Sequence, residues 1–351
     1  MTKKLVCLAL ACLMALVSVS ALAANYVNVF NWEDYISEEA IQLFEEEYKD
    51  LDLHVNYMNF TTNEDMMVQV RTSPGAFDVV VPSEYCVERM IKEGLIQELN
   101  YDLLPNAKKY TLPELLDPSY DPANAHSIPY MWGTLGILYN TELVDDEIDS
   151  WKWMFDEKYA GSVFMLDSIR DSMGMALKYL GYSMNTKDPK ELTAAANLLI
   201  DQKARGIVKA YQVDETKDKM VNGEAALALV WSGDAEYAQE LNDKLAYVIP
   251  QEGSNIWVDC FVIPSTARNV EYAHLFIDFM SRPEIAVLNV QEIGYSCPNQ
   301  GAIELMGEEY TSNTTMNPPE EKVALCEYFN DIDEGSMKIY NALWGKVKNA
   351  K

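Results

Sequence analysis

Five stretches of this sequence share one pattern: an apolar, strand-like run that contains or leads to an aromatic residue, with an acid close by. They are Val27–Tyr35, Phe77–Tyr85, Ser162–Asp171, Ala226–Asp234 and Asn255–Asp259. In α/β proteins, ligands bind in the crevice beyond the carboxyl ends of parallel strands. If the five runs share one sheet edge, or two facing edges, their tips meet in one cleft lined by Trp, Tyr and carboxylates. Such a lining suits an elongated organic cation, because aromatic faces attract ammonium groups and carboxylates accept charge-assisted hydrogen bonds from them.

Between these runs, short apolar strands alternate with amphipathic helices, which predicts an α/β fold with largely parallel sheets. Two extended stretches, Ser127–Asn140 and Trp257–Pro264, are predicted to carry the chain from one lobe to another and back. Two such crossings form a hinge that can close over a ligand. We expect a first lobe from residues 24–134 plus 258–305 and a second lobe from residues 135–257 plus 306–351.

Residues 1–23 have the pattern of a secretory signal peptide. Lys3 and Lys4 precede an apolar stretch, and Ala21, Leu22 and Ala23 form an A-x-A cleavage site. The alternative is a lipoprotein acylated at Cys12, but the apolar stretch before that cysteine is short for this purpose. We therefore expect a protein that is exported to the periplasm.

The chain carries a formal net charge of −28. This charge argues against nucleic-acid partners, because a phosphate backbone requires Lys and Arg contacts. A negative field raises the local concentration of cationic ligands, although solubility alone accounts for most of the charge. Composition therefore permits a cationic ligand without identifying one.

Four cysteines follow the predicted signal peptide, and an oxidising compartment would allow them to form disulfides. Three pairings are possible, and the sequence does not choose among them or exclude free thiols. The four are Cys86, Cys260, Cys297 and Cys326.

The sequence lacks the common motifs for phosphate binding, zinc proteolysis and serine hydrolysis. No cysteine pair has the C-x2-C spacing of a zinc site. We therefore expect no catalytic residues, no metal site and no cofactor.

A glycosidase built on two carboxylates is the alternative, with Asp167 and Asp171 as a pair. Their spacing is equally common where acids cap the start of a helix.

Seven blocks of sequence, in this order, resemble the periplasmic polyamine-binding proteins of ABC importers. They are NWEDY at 31–35, DVVVPSEY at 78–85, SIPYMWG at 127–133, MALKYLGYS at 175–183, WSGDA at 231–235, WVD at 257–259 with VIP at 262–264, and IGYSCPN at 293–299. The resemblance implies the type II periplasmic-binding-protein fold, in which two α/β lobes joined by a two-strand hinge hold the ligand between them. It also implies a polyamine ligand, spermidine or putrescine, and a membrane ABC permease as partner. We expect a monomer.

The resemblance also implies which side chains line the cleft. Trp32, Trp231 and Trp257 resemble the aromatic walls of the family, and Asp259 resembles the acid that anchors an amino group. A carboxylate in the apolar setting of Asp259 is costly unless it is paired, which independently favours a ligand role. The full predicted set is Trp32, Asp34, Tyr35, Ser83, Glu84, Tyr85, Ser168, Asp171, Trp231, Asp234, Trp257, Asp259 and Tyr295.

Four positions depart from the family pattern, and the first is Asp171, which stands where the family usually has a glutamate that binds an amine. Ser168 stands where the spermidine-binding branch has an aspartate, and Phe329 stands where it has a glutamine. Glu84 sits where the family has a small or neutral residue, which makes it a candidate substitute acid. The choice between a diamine and a triamine therefore stays open, as does a different organic cation or a metal as the ligand.

Overall fold

A computed structural model of the protein describes residues 24–350. The predicted signal peptide lies outside these residues and stays a prediction. Within the described range the chain forms nine strands and thirteen α-helices. None of those helices is long and apolar enough to cross a membrane.

The strands and helices alternate over most of the chain. The strands are β1 Asn25–Trp32, β2 Leu53–Phe60, β3 Val79–Val80, β4 Ser127–Asn140, β5 Val163–Leu166, β6 Val208–Gln212, β7 Leu227–Trp231, β8 Leu245–Val248 and β9 Ile256–Val262. The helices are α1 Glu38–Glu47, α2 Asn63–Thr72, α3 Glu84–Lys92, α4 Pro105–Tyr110, α5 Ile169–Tyr179, α6 Pro189–Ala204, α7 Glu215–Val221, α8 Ser232–Leu241, α9 Val270–Met280, α10 Pro283–Ile293, α11 Gln300–Thr311, α12 Glu320–Val323 and α13 Glu334–Asn349.

The strand order is β2-β1-β3-β9-β4-β7-β5-β6, and β8 also pairs with β4. Strand β4 belongs to both halves of this array. Its residues 127–134 pair with β9, and its residues 135–140 pair with β7 and β8. The strand thus passes from a first lobe, which holds β1, β2, β3 and β9, into a second lobe, which holds β5 to β8. The type II periplasmic-binding-protein fold is confirmed.

The expectation of largely parallel sheets is only half right. The β1–β2, β1–β3, β5–β6 and β5–β7 pairs are parallel, whereas every pairing made by β4 and β9 is antiparallel. The pattern of apolar residues misled the prediction. Strands buried on both faces give continuous apolar runs, and this is the usual signature of parallel sheets.

Buried side chains form separate clusters in the two halves. Two clusters cover the first-lobe strands and draw on residues 27–132 and 256–302. The main cluster of the second half draws on residues 135–229 and 329–347. We propose the predicted two-lobe division on this basis. Two of its boundaries fall inside elements, because residue 257 lies in β9 and residue 306 lies in α11.

The sequence explains how helices α1 and α2 begin. Ser37 precedes α1, whose first turn carries Glu38 and Glu39 near the positive end of the helix dipole. The Thr62 hydroxyl accepts a hydrogen bond from the Asp65 backbone N–H at 3.1 Å and so caps α2. The Ser37 side chain makes no such capping bond, so of these two residues only Thr62 fixes its turn, the one between β2 and α2, by a side-chain hydrogen bond.

One buried acid ties the first-lobe strands to helix α9. Asp78 is fully buried, and its carboxylate accepts hydrogen bonds from the backbone N–H groups of Arg268 at 3.0 Å and Asn269 at 2.8 Å. It also accepts bonds from the backbone N–H and side-chain amide of Asn28, at 3.0 Å and 2.7 Å. The Asn269 side-chain amide donates a fifth bond at 3.2 Å, and a buried carboxylate that accepts five such bonds organises this end of the lobe.

We predict that Asp78→Ala lowers the free energy of unfolding by about 3 kcal/mol, because it leaves several buried donors without an acceptor. Urea denaturation measures the change. Asp145→Ala is the control, because Asp145 is exposed and outside the helices and strands, and it should change stability by less than about 0.5 kcal/mol. Equal stability of Asp78→Ala and the wild type would contradict the assigned role.

Candidate functional site

Asp259 occupies the edge of the first lobe where the strand tips converge. Asp259 lies in the middle of β9, which runs antiparallel to β3. It faces Ser83, just beyond the end of β3, through an isolated bridge. The Ser83 hydroxyl donates to Oδ1 of Asp259 at 2.7 Å, and the Tyr35 hydroxyl donates to Oδ2 at 2.8 Å.

The pKa of Asp259 is raised to about 6. Burial causes this rise, and the hydrogen bonds from Ser83 and Tyr35 reduce its size. The side chain is 7% exposed. Within residues 24–350 its hydrogen-bond partners are these two hydroxyls, and no Lys or Arg pairs with it. The site thus holds a carboxylate whose charge is hydrogen-bonded but not neutralised.

Aromatic rings continue from this carboxylate. The Tyr35 ring contacts Tyr295 edge-on, with centroids 5.9 Å apart, and Tyr295 contacts Trp257 edge-on at 4.9 Å. Burial raises the pKa of Tyr295, and the charges of Asp234 and Asp259 raise it further. The Tyr295 hydroxyl therefore lies within the electrostatic reach of an acid from each lobe.

The second lobe supplies a matching edge. Strands β5 and β7 are parallel, so the turns that follow them lie side by side. The indole N–H of Trp231 donates to Oδ1 of Asp171 at 3.3 Å, and the Ser168 hydroxyl donates to Oδ2. Burial raises the pKa of Asp171, whereas these two hydrogen bonds lower it.

Asp234, at the start of α8, has a cationic partner that sequence reasoning missed. Lys217 Nζ lies 3.4 Å from Oδ1 of Asp234. Burial raises the pKa of Asp234, and the charge of Lys217 opposes this rise. Lys217 belongs to α7, a short helix for which the sequence analysis made no prediction. Its polar sequence carries no signal that would link it to the cleft.

Glu84 is buried in the first turn of α3. Its Oε2 atom accepts the backbone N–H of Val258 at 3.2 Å, and its Oε1 atom has no partner in the described part of the chain. Burial raises the pKa of Glu84 to about 8, and the charge of Asp259 adds to the rise. Glu84 and Asp259 therefore lie close enough to repel each other.

Arg170 is the second cation that the sequence analysis did not identify. Its guanidinium lies over the Phe329 ring, with its centre 4.3 Å from the centroid. Its terminal nitrogens donate to the Asn330 carbonyl at 3.2 Å and to Asn185 Oδ1 at 3.0 Å. Burial lowers the pKa of Arg170, while the charges of Glu84 and Asp171 raise it.

The remaining predicted residues lie around these groups. Trp32 ends β1 and packs against Phe60 at 4.5 Å, and its indole nitrogen is buried without a partner among residues 24–350. Tyr85 packs against buried clusters of both lobes. Asp34 is exposed in a left-handed turn with φ of 50°, and no described hydrogen bond links it to Asp259.

Direct contacts join the two lobes around this site. Tyr295 packs so closely on α8 that a Cβ atom added at Gly233 would lie 1.9 Å from its ring. Away from the aromatic groups, Arg89 of α3 forms a 2.7 Å ion pair with Asp331, which precedes α13. These contacts describe a closed cleft in which only glycine fits at position 233.

The alternative chemistries gain no support from the geometry. Asp167 is exposed and paired with Lys348 at 2.6 Å, while Asp171 is held by Trp231 and Ser168, so the two do not form a glycosidase pair. No group of three or more His, Cys, Asp or Glu residues in the described chain is arranged to hold a metal ion. The four cysteines of the described chain are free thiols, at positions Cys86, Cys260, Cys297 and Cys326.

We predict that Gly233→Ala holds the lobes apart, because the added methyl group cannot share space with the Tyr295 ring. Small-angle scattering should give a larger radius of gyration than for the wild type. Tyr295→Ala should restore the compact form in the double variant, since the two effects are coupled.

Gly345→Ala is the matched control, because a Cβ atom there meets nothing within 4 Å. A Gly233→Ala variant as compact as this control would contradict the assigned contact.

The sequence model of the family described as bacterial extracellular solute-binding protein matches residues 39–318. The chain is 35% identical over 326 residues to the spermidine/putrescine-binding periplasmic protein of Escherichia coli, covering 92% of each. It is 32% identical to a putrescine-binding periplasmic protein of Pseudomonas aeruginosa, covering 93% of this chain and 92% of the relative.

A solved structure shows the same architecture. The spermidine/putrescine ABC transporter substrate-binding protein of Streptococcus pneumoniae superimposes with a TM-score of 0.83 at 35% identity, covering 92% of this chain and 98% of that one. The family consists of proteins that bind solutes for transport rather than of enzymes. The chain therefore belongs to the bacterial extracellular solute-binding proteins, and the similarity to periplasmic polyamine-binding proteins predicted from its sequence is confirmed.

Proposed function

We propose that the protein captures a polyamine, spermidine or putrescine, in the cleft between its lobes and delivers it to a membrane ABC permease. The names of the relatives give the ligand class. One structural observation carries the proposal for this chain. Asp259 is buried and ionisable, is held by the hydroxyls of Tyr35 and Ser83, and has no cationic partner among residues 24–350. A ligand ammonium group would supply the missing charge.

The first ammonium group would bind at Asp259. The two hydroxyls that donate to its oxygens fix the direction of the remaining lone pairs, so the carboxylate is oriented before the ligand arrives. A charge-assisted hydrogen bond is worth roughly 1.5–3 kcal/mol. The rings of Tyr295 and Trp257 stand beside this position, and a cation–π contact adds roughly 0.5–2 kcal/mol.

The second ammonium group would bind in the other lobe, where Trp231 and Ser168 orient the Asp171 carboxylate. The methylene chain would lie between aromatic faces. A monoamine would leave one of the two carboxylates buried and unpaired, which is how the site would select for length. After the cost of association, we expect a dissociation constant near micromolar, or about −8 kcal/mol.

Lobe closure would connect capture to delivery. Tyr295 contacts the start of α8 only when the lobes meet, and it lies near acids of both lobes. A ligand that bridges the two edges would therefore stabilise the closed form, which is the form we propose docks on the permease.

We also propose export by the predicted signal peptide and action as a monomer. None of these steps requires a cofactor or a chemical reaction.

Calorimetric titration of the ligand-free protein with putrescine, cadaverine, spermidine and spermine tests the proposal. We predict binding of at least one of them with a stoichiometry of one. Asp259→Asn should weaken this binding by at least about tenfold, since the amide cannot neutralise an ammonium group.

Asp121→Asn is the matched control, because Asp121 is also a buried first-lobe acid that accepts a serine hydroxyl, that of Ser127 at 2.7 Å. The Asp121→Asn variant should bind polyamines with the same affinity as the wild type. Heat on titration with a metal ion or turnover of a glycoside, in place of polyamine binding, would point to one of the alternatives.

The raised pKa of Asp259 predicts opposite effects of pH on affinity and on stability. Only the ionised carboxylate attracts an ammonium group, so affinity should rise as the pH increases from 5 to 7.5. In the ligand-free protein the folded-state pKa of Asp259 is about 6, above the ordinary 3.8. The stability that Asp259 contributes is therefore lost as the pH rises from 3.8 through about 6.

Urea denaturation of the wild type and Asp259→Asn at pH 4 and pH 7.5 measures this linkage. The stability of the variant relative to the wild type should improve by about 2 kcal/mol between the two pH values. An unchanged difference, together with an affinity that does not depend on pH, would show that this carboxyl group does not titrate in the cleft.

A further inference from the structure

A group of charged side chains joins the two lobes at a place outside the predicted ligand site. Helix α3 belongs to the first lobe, where Val87 and Met90 are buried in one of its core clusters. Ile332, just before α13, is buried in the main cluster of the second lobe. Arg89 of α3 and Asp331 lie between these two packed regions, so a contact between them is a contact between the lobes.

Asp331 is bound to α3 through both its carboxylate and its backbone. Its Oδ1 atom accepts a hydrogen bond from Nε of Arg89 at 2.8 Å and lies 2.7 Å from a terminal nitrogen of the same guanidinium. Its backbone N–H donates to Oε2 of Glu88 at 2.7 Å. Lys92 Nζ lies 2.7 Å from Oε1 of Glu88 and 3.4 Å from Oδ2 of Asp331. Two acids and two bases thus form one network, in which each charge has a partner of opposite sign.

The second lobe holds Asp331 in position from both sides along the chain. The backbone N–H of Asn330 donates to Asn185 Oδ1 at 2.8 Å, and its carbonyl accepts a hydrogen bond from Arg170 at 3.2 Å. On the other side, Ile332 packs in the second-lobe core. The carboxylate of Asp331 is therefore carried by the second lobe, whereas its charged partners are carried by the first.

Contacts between groups held in this way depend on the relative position of the lobes. A donor and an acceptor roughly 3.6 Å apart no longer form a hydrogen bond, so a shift of about 1 Å between α3 and Asp331 breaks these contacts. The network holds the carboxylate and the backbone N–H of Asp331 at once, so it opposes rotation as well as translation. It stabilises the closed arrangement relative to one in which the lobes lie apart.

Partial burial makes this network stronger than an ordinary surface ion pair. The side chains of Asp331 and Glu88 are 15% and 22% exposed. Fully exposed pairs contribute little to stability, because water and salt screen them, whereas charges that share several partners in fixed geometry contribute more. The backbone N–H of Asp331 adds a hydrogen bond to a charged acceptor, which is stronger than one between neutral groups.

We propose that Glu88, Arg89, Lys92 and Asp331 form an interlobe clamp that stabilises the closed form and so raises ligand affinity without touching the ligand. This inference rests on the proposed closure of the lobes over a polyamine. A ligand that binds the closed form binds more tightly when that form is more populated in the free protein. None of the four residues belongs to the predicted set that lines the cleft.

Titration calorimetry with putrescine and spermidine measures the contribution of the clamp to affinity. Asp331→Asn keeps the shape of the side chain and the backbone N–H but removes the charge that Arg89 binds. We expect the dissociation constant of each polyamine that binds to rise by at least about fivefold. Arg89→Met should have a similar effect, and the double variant should lose no more than the larger of the two single losses, because both remove the same contact.

Small-angle scattering of the ligand-free protein gives a readout that does not depend on any ligand. The radius of gyration of Asp331→Asn and Arg89→Met should exceed that of the wild type, because the open form becomes more populated. If the ligand-free wild type is already open, the radius stays the same and the whole effect appears as lost affinity.

Arg71→Met is the matched control. Arg71 forms a 2.7 Å ion pair with Glu93, and both residues belong to the first lobe, so the pair does not sense the position of the lobes. The affinity and the radius of gyration of this variant should equal those of the wild type. A loss of affinity in Arg71→Met as large as that in Arg89→Met would assign the effect to the loss of any arginine and overturn the clamp.

The outcomes separate the two proposals. Asp331→Asn and Arg89→Met variants with both the affinity and the radius of gyration of the wild type would overturn the clamp and leave the polyamine function intact. Failure of the wild type to bind any of the four polyamines would overturn the proposed function itself. A larger radius of gyration in the two variants would then still support the clamp.

Discussion

The hydrogen-bonded but unneutralised charge of Asp259 is the interaction on which the site depends. Its two hydroxyl donors come from different parts of the first lobe, Tyr35 after β1 and Ser83 after β3. The carboxylate can hold both only because β9 runs antiparallel between β3 and β4, which brings its middle to the tips of the neighbouring strands. The sheet topology therefore determines the position of the charge, and the charge determines which kind of ligand the cleft can hold.

The second lobe repeats this arrangement with different chemistry. Trp231 and Ser168 orient Asp171 as Tyr35 and Ser83 orient Asp259. The two edges meet where the ring of Tyr295 lies against Gly233. The Tyr295 ring thus links Tyr35, which binds the first-lobe carboxylate, to the second lobe. A flexible chain with a cation at each end is the ligand that satisfies both carboxylates at once.

Much of this arrangement could be predicted from the sequence. The strand-to-aromatic pattern located both edges, and Ser127–Asn140 was predicted as the crossing that β4 makes. The direction of β9 was not predictable, because an apolar run carries no information about the direction of its neighbours.

The cationic members of the site were also missed, and for a physical reason. Arg170 and Lys217 are ordinary polar positions on helices, and only the fold brings Arg170 over the Phe329 ring and Lys217 to Asp234. Charge balance within a cleft is a property of the folded arrangement, so local sequence patterns do not reveal it. Which of the predicted site residues contact the ligand stays a proposal.

A crystal structure of the protein with putrescine bound tests the central claim most directly. The account predicts one ammonium nitrogen within about 2.7–2.9 Å of an Asp259 carboxylate oxygen, with the methylene chain extending toward Asp171 between aromatic rings. A putrescine molecule whose nitrogens both lie away from Asp259, with that carboxylate still bound only by Tyr35 and Ser83, would contradict it.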